Sequence, residues 1–244
     1  MSEVRALIQA EAVTVEKSGR LLVRDVSVTV HAGEELGVLG PSGAGKSTFF
    51  GALVGEEALS QGRVLLNGEN VSDLPLWRRA RLGLGYIPQT PSVLWDLSVE
   101  DNFRTFFRVA RDAKASDDEV DAACAVVGLA EQKRVRAGSL SGGERRRLEL
   151  GRALMTKPTV LVCDEPFAGV DPKGAAHLGE LLAKLADSGV AVLLADHHVD
   201  EALRVCTRAL LLLDGAVALL ASPQDFRSDP LVQGRYLGTW EGSR

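Results

Sequence analysis

One stretch of sequence decides the fold: Gly40-Pro41-Ser42-Gly43-Ala44-Gly45-Lys46-Ser47. It matches the pattern G-x-x-x-x-G-K-[ST] and lies between an apolar run typical of a buried strand, 36–39, and a mostly apolar segment typical of a short helix, 48–54. A glycine-rich turn at the start of a helix presents backbone N–H groups that bind phosphate. A turn that only caps a helix is the alternative, but it needs neither the lysine nor both flanking glycines, so we predict a phosphate-binding loop.

Each part of this loop has an expected task. Backbone N–H groups of residues 43–47 are expected to face phosphate oxygens, Lys46 to hold the β and γ phosphates of a nucleotide, and Ser47 to ligate Mg²⁺. The predicted nucleotide-binding residues are Gly40, Pro41, Ser42, Gly43, Ala44, Gly45, Lys46, Ser47 and Thr48.

Two consecutive acids follow a second buried strand. Asp164 and Glu165 come directly after the apolar run 160–163, and the carboxyl ends of strands are where ligands bind in open α/β sheets. Successive strand residues point to opposite sides, so the two acids suit two roles. We expect Asp164 to position Mg²⁺ and Glu165 to polarise the attacking water. Solvated acids at a strand end are the alternative, which the phosphate-binding loop makes less favoured.

The rest of the chain predicts an α/β fold with a mostly parallel core sheet. Alternating residues in the first thirty positions indicate an N-terminal antiparallel sheet, and strands alternate with helices after position 157. The segment 91–156 is predicted to be an inserted α-helical subdomain, with 1–90 and 157–244 forming the core. The whole of 1–244 is then one domain, and residues 223–236 are expected to form a final peripheral helix.

Composition excludes several classes of protein. The chain has 244 residues, 45% of them apolar, and a formal net charge of −5, which gives no overall attraction to nucleic acid. Its three cysteines lie in apolar surroundings and predict neither disulfides nor a zinc site. No apolar run approaches the ~18 residues of a membrane span. We therefore expect a cytosolic protein, with membrane contact only through partners and no nucleic acid as partner.

A second helix start carries two glycines. Ser141, Gly142, Gly143 and Glu144 fit a capping box, in which Ser141 caps the helix and Glu144 reaches back to it. Two glycines in the first turn cost about 1 kcal/mol each, so helix stability does not account for them. They leave backbone N–H groups open to an anion. A second phosphate-binding helix end in one chain needs an explanation.

The order of these motifs supplies an explanation for the second helix end. GPSGAGKST, LSGGERRRLELGRAL, VLVCDEP, GVD and DH occur in the order found in the nucleotide-binding subunits of ATP-binding cassette (ABC) transporters, which the chain resembles over nearly its whole length. Within that family, LPLWRRARLGLGYIPQ, DEPFAGVDP and the terminal RYLG look most similar to the ATPase of lipopolysaccharide export. The ATPases of branched-chain amino acid import are the next most similar.

The resemblance implies an ATPase that works as a head-to-tail homodimer and drives transmembrane permease subunits from the cytoplasmic face of the inner membrane. The loop at Lys46 of one copy and the helix start at Ser141 of the other would enclose each ATP. Gln89 matches the residue that touches Mg²⁺ or the lytic water, His197 the residue that contacts the γ-phosphate, and Asp171 the residue that crosses the dimer interface. The catalytic set implied is Glu165, His197, Gln89 and Lys46, with Ser47, Gln89 and Asp164 around Mg²⁺.

Other residues receive simpler interpretations. His31 and His177 are expected to be solvated, and the run Arg145–Arg147 to be a solvated helix face. The Phe103, Phe106 and Phe107 group is expected to be core, or else part of a groove for a permease helix within 95–107. The family usually stacks adenine on an aromatic residue before the second strand. None stands there in this chain, so Val15 or Lys17 is expected to contact the base, and GTP could be accepted.

Two other functions remain open. A soluble ABC regulator of ribosomes or DNA usually carries two cassettes or a long coiled-coil insertion, and neither is visible in this sequence. A P-loop kinase is disfavoured by the LSGGE string and by the lack of a recognisable acceptor site.

Overall fold

The computed structural model of the chain describes residues 5–111 and 113–238. Within them the strands are β1 (Ala6–Lys17), β2 (Arg20–His31), β3 (Glu35–Leu39), β4 (Gln61–Leu66), β5 (Glu69–Asn70), β6 (Leu84–Ile87), β7 (Val160–Asp164), β8 (Ala191–Ala195), β9 (Arg208–Leu213) and β10 (Ala216–Ala221). The helices are α1 (Lys46–Val54), α2 (Leu76–Arg81), α3 (Val99–Arg111), α4 (Asp117–Val126), α5 (Gly142–Leu154), α6 (Pro172–Asp187), α7 (Val199–Val205), α8 (Pro223–Ser228) and α9 (Pro230–Val232).

The strands form two sheets. The smaller has the order β2-β1-β4-β5, and β1 pairs antiparallel with both β2 and β4. The larger has the order β10-β9-β3-β8-β7-β6; its pairs are parallel except for β10, which runs antiparallel to β9 at the edge. The predicted parallel core sheet with an N-terminal antiparallel region is confirmed.

Both faces of the larger sheet are buried, which explains its continuous apolar strands. Along β7, Val160 and Val162 pack into a core shared with α1 and the smaller sheet, whereas Leu161 and Cys163 pack into a core shared with the helices of the other face. All three cysteines are buried, as their apolar surroundings predicted.

The helices agree with most of the sequence pattern. The predicted helix that starts after Ser141 and the one over 172–187 are confirmed as α5 and α6. The segment 91–156, predicted to be a helical subdomain, contains α3, α4, a short 3-10 turn at 137–139 and α5. The division of the chain at 90 and 156 stays a prediction.

The single C-terminal helix expected over 223–236 is wrong. The segment is divided into α8, α9 and a π-helical turn at 233–237. Asp229 is extended, with φ −66° and ψ 128°, because the ring of Pro230 excludes the helical conformation at the residue before it. The Asp229 carboxylate instead accepts hydrogen bonds from the backbone of Leu231 and Val232, and so begins α9.

A buried arginine fixes the basic segment 72–81. The Arg79 side chain is fully buried, and its guanidinium donates to the backbone oxygens of Ala52 and Leu53 at 2.7 Å and to those of Ser72 and Leu74. These bonds satisfy carbonyls at the end of α1 that have no partner in the helix. Burial lowers the pKa of Arg79 to about 10.

None of the described helices combines the length and the apolar character that crossing a membrane requires.

Candidate nucleotide-binding site

One edge of the larger sheet collects the candidate residues. The glycine-rich loop follows β3, Gln89 lies two residues after β6, Asp164 ends β7, and His197 lies two residues after β8. These strands are parallel, so their carboxyl ends meet at the same edge. The topology therefore brings together residues that are up to 157 positions apart in the sequence, from Gly40 to His197.

A pocket of about 380 Å³ lies at this edge. Its lining residues are Arg20, Leu22, Ser42, Gly43, Gly45, Lys46, Ser47, Thr48, Gln89, Glu165 and His197. The lining is mainly polar and has both a cation, Lys46, and an anion, Glu165. It is the environment expected for a polar, charged ligand rather than an apolar one.

Close packing explains two glycines of the loop. Gly45 is the residue before α1 and has φ +100°, and a Cβ built on it would lie 2.4 Å from the backbone oxygen of Leu22. A Cβ on Gly40 would lie 2.2 Å from the backbone oxygen of Leu212. Any larger side chain would push the loop away from β2 or β9, so these glycines fix the loop in its place before any ligand is considered.

Lys46 is 6% exposed and lies inside the loop. Its Nζ donates to the backbone oxygens of Gly40 at 2.7 Å and Pro41 at 3.0 Å. Burial lowers the pKa of Lys46, while the nearby carboxylates of Glu165, Asp164 and Asp196 raise it in part. A buried ammonium held by carbonyls at the head of a helix is placed to meet anionic oxygens.

Ser47 and Asp164 form a hydrogen-bonded pair of oxygen donors. The Asp164 carboxylate is 3% exposed and is bonded to the Ser47 side chain. Burial raises the pKa of Asp164, while the Ser47 bond and Lys46 lower it in part. Hydroxyl and carboxylate oxygens are the donors that Mg²⁺ prefers, so the pair fits this ion. The described residues contain no group of three or more His, Cys, Asp and Glu side chains able to hold a metal.

Glu165 and His197 meet across the pocket. Glu165 Oε1 lies 2.8 Å from His197 Nε2. The Glu165 backbone has φ +53°, in the left-handed region that side chains other than glycine rarely adopt, and its N–H donates to the Ala195 oxygen at 2.7 Å. The turn directs the Glu165 side chain away from the line of β7, so that Asp164 and Glu165 take different positions.

The adjacent histidines have different partners. His198 Nδ1 lies 2.8 Å from Oδ1 of Asp196, and this carboxylate also accepts from the backbone of His198 and of Phe167. Asp196 is 1% exposed and close enough to Lys46 to raise its pKa. Our sequence interpretation did not single out Asp196. The sequence feature that could have identified Asp196 is its position directly after the buried strand 191–195, the same pattern that pointed to Asp164.

The expectation that Arg145–Arg147 form a solvated face is wrong. Arg146 is 5% exposed, and its guanidinium donates to the backbone oxygens of Pro88 at 2.9 Å, Gln89 at 2.8 Å and Glu165 at 3.2 Å. It also pairs with Glu149 at 2.8 Å. Arg147 is only partly exposed. The sequence shows charge at these positions but not the carbonyls around Arg146.

The expected base contact is wrong for Val15, and that of Lys17 stays a prediction. Val15 is 1% exposed and belongs to the core, and Lys17 pairs with Glu57 at 2.5 Å. Neither lines the pocket, which at this end is bounded by Arg20 and Leu22. Directly after Lys17 the chain turns at residues 18 and 19, and β2 returns along the pocket.

The second glycine-containing helix start lies apart from this lining. Ser141 caps α5: its Oγ accepts from the Glu144 backbone, and its own N–H donates to Glu144 Oε2 at 2.8 Å. Within the described residues, none of the segment 141–144 lines the pocket of Lys46. Asp171 is exposed and caps α6 through the N–H groups of Lys173 and Gly174.

The remaining residues that the sequence singled out lie outside the lining of this pocket. His31 is not simply solvated: its Nδ1 lies 3.1 Å from Glu34 Oε2. His177 is half-buried. Phe103 and Phe107 are buried core residues, as expected, whereas Phe106 is partly exposed and lines a separate cleft.

Residues 23–168 match the family described as "ABC transporter". The chain belongs to this family. The probable ABC transporter ATP-binding protein of Azorhizobium caulinodans is 41% identical over 90% of this chain and 79% of that protein. The lipopolysaccharide export system ATP-binding protein LptB of Escherichia coli K12 is 39% identical over 96% of this chain and 98% of its own length.

Solved structures show the same fold. The crystal structure of an ATP-binding cassette of an ABC transporter in its ADP conformation has a TM-score of 0.87 and 24% identity, covering 96% of this chain and 99% of that one. The family match and the 39–41% identical ATP-binding proteins identify the chain as a nucleotide-binding ATPase subunit. ATPase subunits of this family pair with transmembrane permease subunits.

Proposed function

We propose that two copies of this ABC ATPase close head to tail around two molecules of MgATP and so power permease subunits that export lipopolysaccharide. One observation carries the proposal. The pocket of Lys46 joins Ser47, at the start of α1, to Gln89, Glu165 and His197, which follow the ends of parallel strands, while the exposed helix start at Ser141 lies outside that lining.

The loop at Lys46 binds the phosphates in this proposal. Backbone N–H groups of 43–47 at the start of α1 face the phosphate oxygens, and Lys46 exchanges its bonds to Gly40 and Pro41 for the β and γ phosphates. The lowered pKa of Lys46 reflects burial, and an added polyanion would raise it again.

Ser47 and Asp164, with Gln89, would hold Mg²⁺. The fit rests on the buried Asp164 carboxylate, which lacks bulk water and is joined to the Ser47 side chain. The ion would supply charge neutralisation of the phosphates. Asp196 is a second buried acid at this edge of the sheet. Its carboxylate accepts from the backbone N–H groups of Phe167 and His198 and so keeps the backbone between β8 and His198 in place.

Glu165 orients and polarises the attacking water. Its Oε1 lies 2.8 Å from His197 Nε2, and in this proposal His197 contacts the γ-phosphate. A positioned general base contributes typically 10²–10⁴-fold to a rate. Removing the carboxylate charge is therefore expected to lower turnover far more than nucleotide binding.

A second copy completes the site. Ser141, Gly142, Gly143 and Glu144 of the partner copy would cover the γ-phosphate, with the N–H groups at the start of α5 acting as the second anion site. Asp171, exposed at the start of α6, would lie at the interface and link the two pockets. This arrangement explains why one chain carries two phosphate-binding helix ends.

Light scattering of the purified full chain tests the dimer. Glu165→Gln is expected to bind MgATP with an affinity close to that of the wild type, to release phosphate at least 100-fold more slowly, and to accumulate as a dimer. Lys46→Ala should lose binding and remain monomeric. Monomeric Glu165→Gln at saturating MgATP, or brisk turnover by this variant, would contradict the proposal.

The proposed cargo rests on similarity to relatives, and the proposed location at the membrane rests on a cleft. Relatives such as LptB of Escherichia coli, named for lipopolysaccharide export, align over nearly the whole chain. A cleft of about 340 Å³ beside the Gln89 segment is lined in part by Leu76, Tyr86, Phe106 and Arg152. A cleft with a mainly apolar surface and the charged residues Glu149 and Arg152 in its lining suits an amphipathic helix of a permease at the cytoplasmic face of the inner membrane.

Affinity purification of the tagged chain from membranes tests this part. We expect two integral membrane proteins and bound lipopolysaccharide to copurify. A periplasmic amino-acid-binding protein in the same complex would favour branched-chain amino acid import, and ribosomes or DNA without membrane proteins would favour a soluble regulator. Either result would leave the ATPase assignment intact and overturn the cargo.

A further inference from the structure

We propose that Arg146 is a positioning residue for ATP hydrolysis, which ties the helix beginning at Ser141 to the backbone of Gln89 and Glu165. The inference rests on the proposed function for the roles of Gln89 and Glu165, and it adds a residue that is 5% exposed and does not line the pocket. Arg146 acts through the backbone that carries them.

The contacts of the guanidinium carry the argument. One nitrogen of Arg146, Nη1, donates to the Pro88 oxygen at 2.9 Å and pairs with Glu149 Oε2 at 2.8 Å. The other, Nη2, donates to the oxygens of Gln89 at 2.8 Å and of Glu165 at 3.2 Å. Two loops that follow different strands, β6 and β7, are thus joined by one planar group. A planar fork fixes the relative position of its acceptors, which a flexible ammonium cannot do.

Two further residues on the same helix face hold the other end of the Gln89 segment. Glu149 Oε1 accepts from the Ser92 backbone at 2.5 Å, and Arg152 Nη1 donates to the Ser92 oxygen at 2.7 Å. Positions 146, 149 and 152 are three residues apart and therefore lie on one side of α5. The segment 88–92 is thus bound at both ends to α5 rather than free at the surface.

The position of Arg146 along α5 gives the link a direction. Arg146 lies five residues from Ser141, about 7.5 Å along the helix axis. A displacement of the Ser141 end, which meets the other copy's nucleotide in the proposed dimer, moves Arg146 with it because α5 is one continuous helix. The carbonyls of Gln89 and Glu165 would then move too, because Arg146 donates hydrogen bonds to both. Each subunit would thereby adjust its own hydrolytic residues to the nucleotide it covers in its partner.

A simpler role must be separated from this one. Arg146 could serve only to neutralise the buried Glu149, which is 3% exposed. Replacing both members of a buried pair by neutral residues often restores stability, whereas removing one leaves an unpaired charge. The double variant Arg146→Met/Glu149→Gln removes both charges and keeps an amide oxygen for the Ser92 N–H. It also leaves the three carbonyls without their guanidinium.

The experiment measures four properties of the purified full chain: the melting temperature, the number of fluorescent ATP analogues bound per chain, their dissociation constant, and kcat for phosphate release. We expect Arg146→Met/Glu149→Gln to keep a melting temperature and a binding stoichiometry close to those of the wild type, a dissociation constant within about threefold, and a kcat at least 10-fold lower. Recovery of kcat together with the melting temperature would show that Arg146 only neutralises Glu149, and would overturn the proposal.

Two further variants keep the test decisive. Arg146→Lys retains the charge opposite Glu149 but cannot span three carbonyls, so kcat should again fall at least 10-fold with binding retained; wild-type turnover would contradict the inference.

The matched control is Arg208→Met/Glu34→Gln, which removes an Arg–Glu pair with Nη1 and Oε1 2.5 Å apart at the opposite ends of the strands. An equal loss of kcat in this control, or a fall in stoichiometry parallel to kcat in either Arg146 variant, would also overturn it. None of these outcomes affects the test with Lys46→Ala and Glu165→Gln.

Discussion

His197 and Glu165 are joined side chain to side chain, with Nε2 of the imidazole 2.8 Å from Oε1 of the carboxylate. The two residues follow neighbouring strands, and the Glu165 N–H donates to the Ala195 oxygen just before the turn to His197. The backbone pairing of β7 with β8 thus continues one residue past the sheet and sets the side chains opposite each other. Glu165 is the more enclosed member, with a side chain 12% exposed against 48% for His197.

The first prediction concerns this pair. His197→Ala leaves Glu165 without its fixed partner, so we expect kcat to fall about 10- to 100-fold while the dissociation constant for MgATP changes less than threefold. Phosphate release measures kcat, and equilibrium binding measures the dissociation constant. His198→Ala is the control, because His198 faces Asp196 and does not line the pocket. Equal losses in both variants would show that the histidines act only through the backbone between β8 and α7.

A second prediction concerns the base end of the pocket. Arg20 is exposed there beside Leu22, and a guanidinium stacks on any nucleobase with a stabilisation of about 0.5–1 kcal/mol at an exposed site. Arg20→Ala should raise the KM for ATP and for GTP by about two- to fivefold with kcat unchanged. Lys17→Ala, which removes the partner of Glu57 outside the pocket, should change neither. A larger rise in KM for Lys17→Ala than for Arg20→Ala would instead support the expectation from the sequence that Lys17 contacts the base.

The third prediction is a pH dependence of stability. Burial, and to a lesser degree the charge of Asp187, raises the pKa of Glu35 from its ordinary value of 4.5 to about 7. Between these values the folded chain binds the proton and the unfolded chain does not, so the free energy of unfolding falls as the pH rises. The loss is complete above pH 7 and amounts to about 1–3 kcal/mol, allowing for relaxation around the buried group.

Glu35→Gln removes this titration. Denaturant unfolding at pH 4.5 and at pH 8 should show a variant that is close to the wild type at the lower pH and more stable by about 1–3 kcal/mol at the higher. Asp187→Asn should give a smaller effect in the same direction, since Asp187 contributes the lesser part of the shift. A wild type whose Glu35-dependent stability is the same at both pH values would refute the assignment.

The sequence predicted those parts of the site that local patterns encode. The loop before Lys46, the acids at the end of β7 and the cap at Ser141 all lie in short motifs, so their elements were correct to within a few residues. Arg146 could not be found in this way, since its partners at Pro88, Gln89 and Glu165 are up to 58 residues away in the chain. An arginine in a run of three has the same local pattern whether solvent or carbonyls surround it.

The glycines after Ser141 show how a local argument can be incomplete. Helix propensity indicated that they serve something other than the stability of α5, and an anion was the inferred reason. The structure adds packing: a Cβ on Gly142 would lie 2.2 Å from the backbone oxygen of Gly169, and one on Gly143 would meet Val170 Cγ1 at an ordinary 3.4 Å. The start of α5 is therefore fitted closely to the segment before α6.

The last prediction separates these two reasons. Gly142→Ala places a methyl group against a backbone oxygen that can move only with its segment, so we expect the melting of the nucleotide-free chain to show a destabilisation of about 1–3 kcal/mol. Gly143→Ala should cost less than about 1 kcal/mol without nucleotide, because its Cβ finds room. If Gly142 were present for the anion alone, the nucleotide-free chain would tolerate alanine equally at both positions, and the two variants would differ from the wild type only when MgATP is added.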